Sequence, residues 1–312
     1  MIAILGGFGA AVLWAAANLA SSRSSRLIGA GSTVAWMMLV GLVVTTPIAI
    51  AGGPVPPITP TLAVWLTASG VGGVIGLLLV YRGLRIGKVG VVLALASTEG
   101  AIAAIFSIIS GESLSIPVLM TLGLIAVGIA TVALAGGTAA EFAEAALAGA
   151  ADGTLEAGPA GEAAAAARLR IALGTEQRAA LFGAGAAVAF GFAIFGTARA
   201  GQSLPIILAV MPARVAGVSL VFVPMALAGR LQLSRKAVPL ILIVAAGEVL
   251  GNISYVIGSR ESIAIASVLA SQFAAVSAIA AFFLFRERLS PRQRYGFVAI
   301  AAGLAILTLV RG

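Results

Sequence analysis

The sequence predicts an all-α integral membrane protein whose ten transmembrane helices form two inverted five-helix repeats. Three observations carry that expectation. The 312 residues are 61% hydrophobic and only 10% charged, with a mean hydropathy of +1.13, whereas soluble domains carry about 25% charged residues. The apolar residues fall into ten runs, each near the ~20 residues that cross ~30 Å of hydrocarbon. Short blocks of sequence recur in the same order in the two halves of the chain.

The predicted spans are 2–20, 32–51, 61–81, 89–109, 116–136, 179–198, 204–227, 237–257, 263–285 and 295–310. The first has neither a basic flank nor a small-residue cleavage site, so it reads as helix 1 and not as a signal peptide. After span 2, "GGPVPPITP" at 52–60 cannot continue a helix. Span 3 carries "GGVIG" at 72–76 and span 8 "GEVLG" at 247–251, small-xxx-small patterns that admit a close helix neighbour. Span 4 contains "VLALASTEGAIAAIF" at 92–106, which places Glu99 near the bilayer midplane; a charge there costs at least ~3 kcal/mol on insertion scales. Pro205, Pro212 and Pro224 predict a kink or break in span 7. Ser290 and Pro291 form an N-cap and N1 pair that opens span 10.

Between spans 5 and 6 the composition changes. Residues 137–178 are mostly Ala, Gly and Glu and hold six of the 11 acids; such a segment cannot bury a core of its own and reads as a linker with short surface helix. It separates a first repeat, residues 1–136, from a second, residues 179–312. "GESLS" at 111–115 returns as "RERLS" at 286–290, and "GIATVALA" at 128–135 as "GLAILTLV" at 303–310, at an offset of 175. Upstream the offset is 174: Tyr81 meets Tyr255, and "LAS" at 95–97 meets "LAS" at 269–271. One small indel accounts for the difference. Five helices per repeat force the second copy to cross in the opposite sense. All but Arg199, Arg214, Arg260 and Arg311 of the 19 Lys and Arg lie in the loops after spans 1, 3, 5, 7 and 9. The positive-inside rule then makes those loops and residues 136–178 cytoplasmic and puts both termini outside.

Two five-helix repeats, each with a Tyr, then a helix, then "GE" or "RE" before "-LS" and a Gly-bearing last helix, resemble the EamA-type branch of the drug/metabolite transporter superfamily. The resemblance spans the chain apart from the linker and is carried best by Tyr81 to Ala135 and Tyr255 to Val310. It implies a secondary transporter in which helices 1–4 and 6–9 surround a central cavity, with helices 5 and 10 at the periphery. The family mostly keeps both termini cytoplasmic and has a shorter linker, and this sequence departs from it on both points.

Polar residues inside spans are the candidates for a site. Glu99 in span 4, Arg214 in span 7 and Glu248 in span 8 are costly where they stand. Arg214 and Glu248 read either as a buried pair that fixes packing or as groups lining a substrate cavity at the repeat interface. Glu99 and Glu248 are also the candidates for proton coupling, because a buried carboxyl group can exchange its proton for a cationic group. Gln272, Asn18 and Asn252 are candidate hydrogen-bonding groups, and Trp14 and Trp36 candidate stacking surfaces, for the same substrate. Tyr81 and Tyr255 fall at span ends and read as aromatic-belt residues. Glu112 and Glu287 sit at helix boundaries, where water or a nearby helix N-terminus can satisfy them, and read as structural.

The chain lacks Cys and His, which excludes disulfides, Cys/His metal sites and His-based triads. "GLRIGKV" at 83–89 has three residues where a P-loop has four between its glycines, and Lys88 is not followed by Ser or Thr. The sequence therefore predicts no enzyme and no cofactor. The net charge of +8 belongs to topology and not to nucleic acid, since no aromatic-interleaved basic patch accompanies it. The expected function is a secondary transporter of the bacterial inner membrane, a monomer or homodimer among membrane lipids. It would export small polar or amphipathic, amino-acid-like metabolites by alternating access, with protons as a second partner. Export of cationic drugs, and a lipid translocase or scaffold without solute transport, are the alternatives.

Overall fold

The computed structural model describes residues 1–86, 92, 95–135, 160–273, 275–277, 279–280 and 291–311, and among these all regular structure is helical. Helices α1 (Ile2–Ile28), α2 (Ala30–Ala51) and α3 (Pro60–Ile86) are followed by α4 (Glu99–Ile109) and α5 (Ile116–Ala135). The second half contributes α6 (Ala160–Gly201), α7 (Ile206–Leu227), α8 (Val238–Ser259), α9 (Ile263–Ala270) and α10 (Pro291–Arg311). Six of these are long and apolar enough to cross a membrane: α1, α2, Pro60–Val80 of α3, Gln177–Gly201 of α6, α7 and α8. The outer faces of the helices carry large apolar side chains without protein cover, such as Ile50, Ile109, Leu227 and Leu309. Water would penalise such a surface and acyl chains would not. The chain is a multi-pass membrane protein.

Local chemistry sets the boundaries. Gly29 alone separates α1 from α2 and holds a positive φ of 79°, a conformation that costs a side chain but not glycine. At the end of α4, the Gly111 N–H reaches the Ile108 carbonyl at 3.0 Å and the Glu112 N–H the Ser107 carbonyl at 3.1 Å. This is a Schellman turn with Gly111 at φ 101°, and it turns Glu112 back toward the helix ends. Helix α7 starts on Pro205, carries Pro212 within it and passes through a π-helical turn at Val218–Phe222 just before Pro224. A proline without an N–H leaves a carbonyl unclaimed, and the widened turn accommodates it.

Spans 4 and 9 differ from the sequence expectation of unbroken helices. The first is interrupted at Ser97–Thr98, so that Glu99 opens α4; the second is interrupted at Ser271–Gln272 before helix resumes at Phe273. The linker expectation is modified as well, because α6 starts at Ala160 and runs 42 residues without a break into its apolar part. Ala-rich sequence has high helix propensity even without an apolar face. Ser290 and the second-half block "RERLS" lie outside the described residues.

Helix pairing follows one scheme: α3 runs along α6 and α1 along α8, α2 meets α7, α4 meets α9, and α5 runs along α10. The two glycine patterns account for the closest pairs. A side chain at Gly72 would press on the Ala189 carbonyl at 3.0 Å and one at Gly76 on the Phe190 ring, both in α6. A side chain at Gly247 would meet the Leu13 carbonyl at 2.8 Å and one at Gly251 the Trp14 ring at 2.5 Å, both in α1.

Candidate functional site

The site grows from the two helix breaks. Ser97–Thr98 and Ser271–Gln272 stand at corresponding places in the two halves, one behind each "LAS". Helix α4 spans ~17 Å and α9 ~12 Å at 1.5 Å per residue, which sets both breaks near the middle of a ~30 Å core. They touch: a side chain at Gly100 would fall on the Ser267 carbonyl and the Ser271 hydroxyl. At both breaks main-chain N–H groups stay paired, as a bilayer interior requires: Thr98 donates to the Leu95 carbonyl at 3.1 Å, Ser271 to the Ser267 carbonyl at 3.1 Å and Gln272 to the Leu269 carbonyl at 3.2 Å.

Glu99 is buried in the first turn of α4. The unpaired N–H groups and the positive end of the helix dipole favour a carboxylate in that turn, which gives a physical reason for an acid at this depth.

Arg214 is almost wholly buried, at 1% exposure, while the Glu248 side chain keeps 26%. Arg214 Nη2 stands 3.6 Å from Glu248 Oε2 but donates at 3.1 Å to the Glu248 main-chain carbonyl, and Nη1 reaches Met38 Sδ at 3.5 Å. Its Nε has no partner among the described residues. Gly41 of α2 makes room for the guanidinium stem, with Cδ 3.0 Å from where a Cβ would sit. Asn252, one turn beyond Glu248, donates to the same Glu248 carbonyl at 2.7 Å. This is a loose pair with an open carboxylate, not a sealed one.

Trp14 lies across Gly251, with ring centroids 6.2 Å from Tyr255 and 6.4 Å from Phe273. Asn18 is half-buried one helical turn further along α1. Trp14 Nε1 and Gln272 Nε2 are buried donors without partners among the described residues. Tyr255 is not a belt residue: it is fully buried and its hydroxyl bridges the Ile194 carbonyl at 3.1 Å and the Ser267 hydroxyl at 2.8 Å. Trp36 is not brought to this group. Its N–H donates to the Gln232 carbonyl at 2.9 Å, edge-on to Phe222, near the end of the molecule that holds the α7–α8 loop.

Glu112 holds the role expected of a boundary acid. It accepts from Ser107 Oγ and, across the fold, from Ser262 Oγ and from the Ala264 N–H at 3.2 Å, closing the N-terminus of α9. Glu287 and the Tyr81 side chain lie outside the described residues. Sequence reasoning missed Met38, Gly41, Ser267 and the Ser69–Thr197 hydrogen bond of 2.6 Å between α3 and α6, since a small or neutral residue in an apolar run carries no cost to flag it. An apolar cleft of about 510 Å³ opens on the surface between α3 and α7, lined by Leu66, Val71, Leu208, Met211 and Val215 among others. None of the charged groups lies in it.

A half-helix N-terminus that carries a buried acid, and a buried Arg paired with a partly open carboxylate on two other helices, are groups of the kind that can hold a charged solute at the midplane. Comparison with known proteins agrees with the sequence resemblance. Residues 1–134 match the EamA-like transporter family. Helices α1 to α5 lie within that EamA-like segment apart from its last residue, so Trp14, Asn18 and Glu99 belong to it, while Arg214, Glu248, Asn252 and Gln272 come from the other half. A crystal structure described only as that of a protein is 18% identical, with a TM-score of 0.69, over 99% of this chain and 96% of that chain. That likeness shows the fold alone. No curated protein matches the chain.

Proposed function

We propose that the protein is a secondary transporter that works by alternating access between two inverted EamA-like repeats, residues 1–136 and 179–312, joined by 137–178. The observation that carries this reading is the pair of helix breaks at Ser97–Thr98 and Ser271–Gln272, in contact and at matching positions. The pairing scheme supports it, because exchanging the halves turns α1 with α8 into α6 with α3 and leaves α2 with α7, α4 with α9 and α5 with α10 unchanged. The loop charges support cytoplasmic odd-numbered loops and extracytoplasmic termini; the membrane we propose is the bacterial inner membrane.

The substrate class follows from the groups gathered. Arg214, Trp14 Nε1 and Gln272 Nε2 offer donors to acceptor oxygens; Glu99 and Glu248 offer acceptors to an ammonium group. A small zwitterion of the amino-acid type satisfies both sets, and the aromatic wall of Trp14, Tyr255 and Phe273 takes an apolar side chain. Glu99 and Glu248 are the proton-coupling groups, and outward movement of the substrate against inward protons is the direction this supports. Proteoliposomes loaded with labelled amino acids test it: saturable release driven by an imposed pH gradient is expected, with labelled phospholipid unmoved. Phospholipid movement without amino-acid flux would replace this reading with a lipid translocase.

A further inference from the structure

At one end of the molecule, four consecutive residues, Ser259–Ser262, reach three other parts of the chain. Gln202 of the α6–α7 loop donates to the Ser259 carbonyl at 2.8 Å. Arg260 donates through Nε to the Gly201 carbonyl at 2.9 Å and through Nη2 to the Leu204 carbonyl at 2.8 Å. Glu261 accepts from the Ala3 N–H at 2.9 Å and from the Met1 ammonium at 2.8 Å. Ser262 donates to Glu112 of the α4–α5 loop. The α6–α7 and α4–α5 loops and the start of α1 are thus fastened to Ser259–Ser262, and the bonds to Glu112 and to Ala3 join the two halves of the chain.

A second closure lies directly beneath. Trp65 at the start of α3, Phe106 near the end of α4, and Phe192 and Phe195 of α6 form a ring cluster with centroid separations of 5.3–6.3 Å. The Arg199 guanidinium stands 5.8 Å from the Trp65 ring centroid. Side chains of α1, α3, α4, α6, α7, α8 and α9 share one core at this end.

We infer that Ser259–Ser262 is the latch of a gate on the side of the α6–α7 and α8–α9 loops, engaged in this structure and released once in each transport cycle. The inference rests on the alternating-access reading above. Every bond in the latch except the Glu261 pair with Met1 is directional hydrogen bonding to a main-chain or hydroxyl group. Such bonds each contribute little net stability, and somewhat more when one group is charged. A few of them fasten loops firmly while leaving the total within reach of the binding energy of one ligand.

The test exploits the absence of cysteine. Spin labels on Ser113→Cys and Ser203→Cys, both exposed in loops at this end, report the gate by their distance distribution in lipid nanodiscs. Arg260→Ala and Gln202→Ala are each expected to add a longer-distance population, with Arg260→Ala giving the larger one because it removes two bonds. Should Arg260→Ala fail to yield folded protein, Gln202→Ala decides alone. Distributions that superimpose on the parent in every folded variant would overturn the latch. The measurement needs no substrate, so its outcome stands apart from the amino-acid flux assay.

Discussion

Glu99 sits where a half-helix begins, so its surroundings can stabilise either its negative charge, through the helix N-terminus, or its neutral form, through burial. That balance is what a coupling carboxyl requires. Glu99→Gln keeps size and hydrogen-bonding capacity and should reach the membrane and still exchange substrate, but lose accumulation driven by a pH gradient. Wild-type pH dependence in that variant would make the carboxyl structural. Replacing Arg214 with Met and Glu248 with Gln together should leave the protein folded, since neutral groups often substitute for a buried pair. Flux should still fall by at least about tenfold, the loss that ~1.4 kcal/mol of binding corresponds to. Full flux would reduce the pair to packing. At the gate, hydrogen bonding from the Met1 ammonium and the Ala3 N–H holds the Glu261 carboxyl below the ordinary 4.5. A carboxyl lowered in the folded state stabilises above its unfolded value and stops doing so as pH falls through the lowered one. Thermal unfolding should therefore show Glu261→Gln less stable than the parent at pH 7, with the difference closing at acid pH.

Among the helices, glycine provides the clearest contrast. Gly6 of α1 meets Gly258 of α8 backbone to backbone, with Gly258 main-chain atoms 2.5 Å from where a Cβ on Gly6 would stand. Gly6→Ala must push two helices apart and should cost about 1–3 kcal/mol. Gly73 of α3 has open space around it, so Gly73→Ala should stabilise by about 0.5–1 kcal/mol through helix propensity. Melting temperatures in one detergent, moving in opposite directions for the two variants, would check both. The long helices were legible because each needs an unbroken apolar run, and "GGVIG" and "GEVLG" announced the close pairs for the same physical reason that they form them. The breaks in spans 4 and 9 were not legible, because Ser-Thr and Ser-Gln are compatible with helix and no proline or glycine marks the interruption. Burial of Tyr255 was hidden likewise: its place near the end of α8 matched a belt, and only the Ser267 and Ile194 partners in other helices draw it inward. Arg214 and Glu248 stood out from sequence through their cost alone, whereas the position of Trp36 depends on the α7–α8 loop that binds it.

For the molecule as a whole, the pairing scheme and the loop charges make separable claims. A cysteine at Ser22, in the last turns of α1, should resist an impermeant thiol reagent in intact cells, while one at Val55, in the loop before α3, should react. The opposite pattern would invert the orientation and leave the helix pairing untouched. The paired helix breaks bear on how such a protein changes over evolutionary time. The main-chain bonds of Thr98, Ser271 and Gln272 that shape the breaks are ones that every amino acid except proline can make. Side chains around them can then drift and alter which molecules fit, while the path of the backbone persists through almost any point mutation. Proline at Thr98 or Ser271, or a one-residue deletion there, is the kind of change that such a lineage cannot absorb.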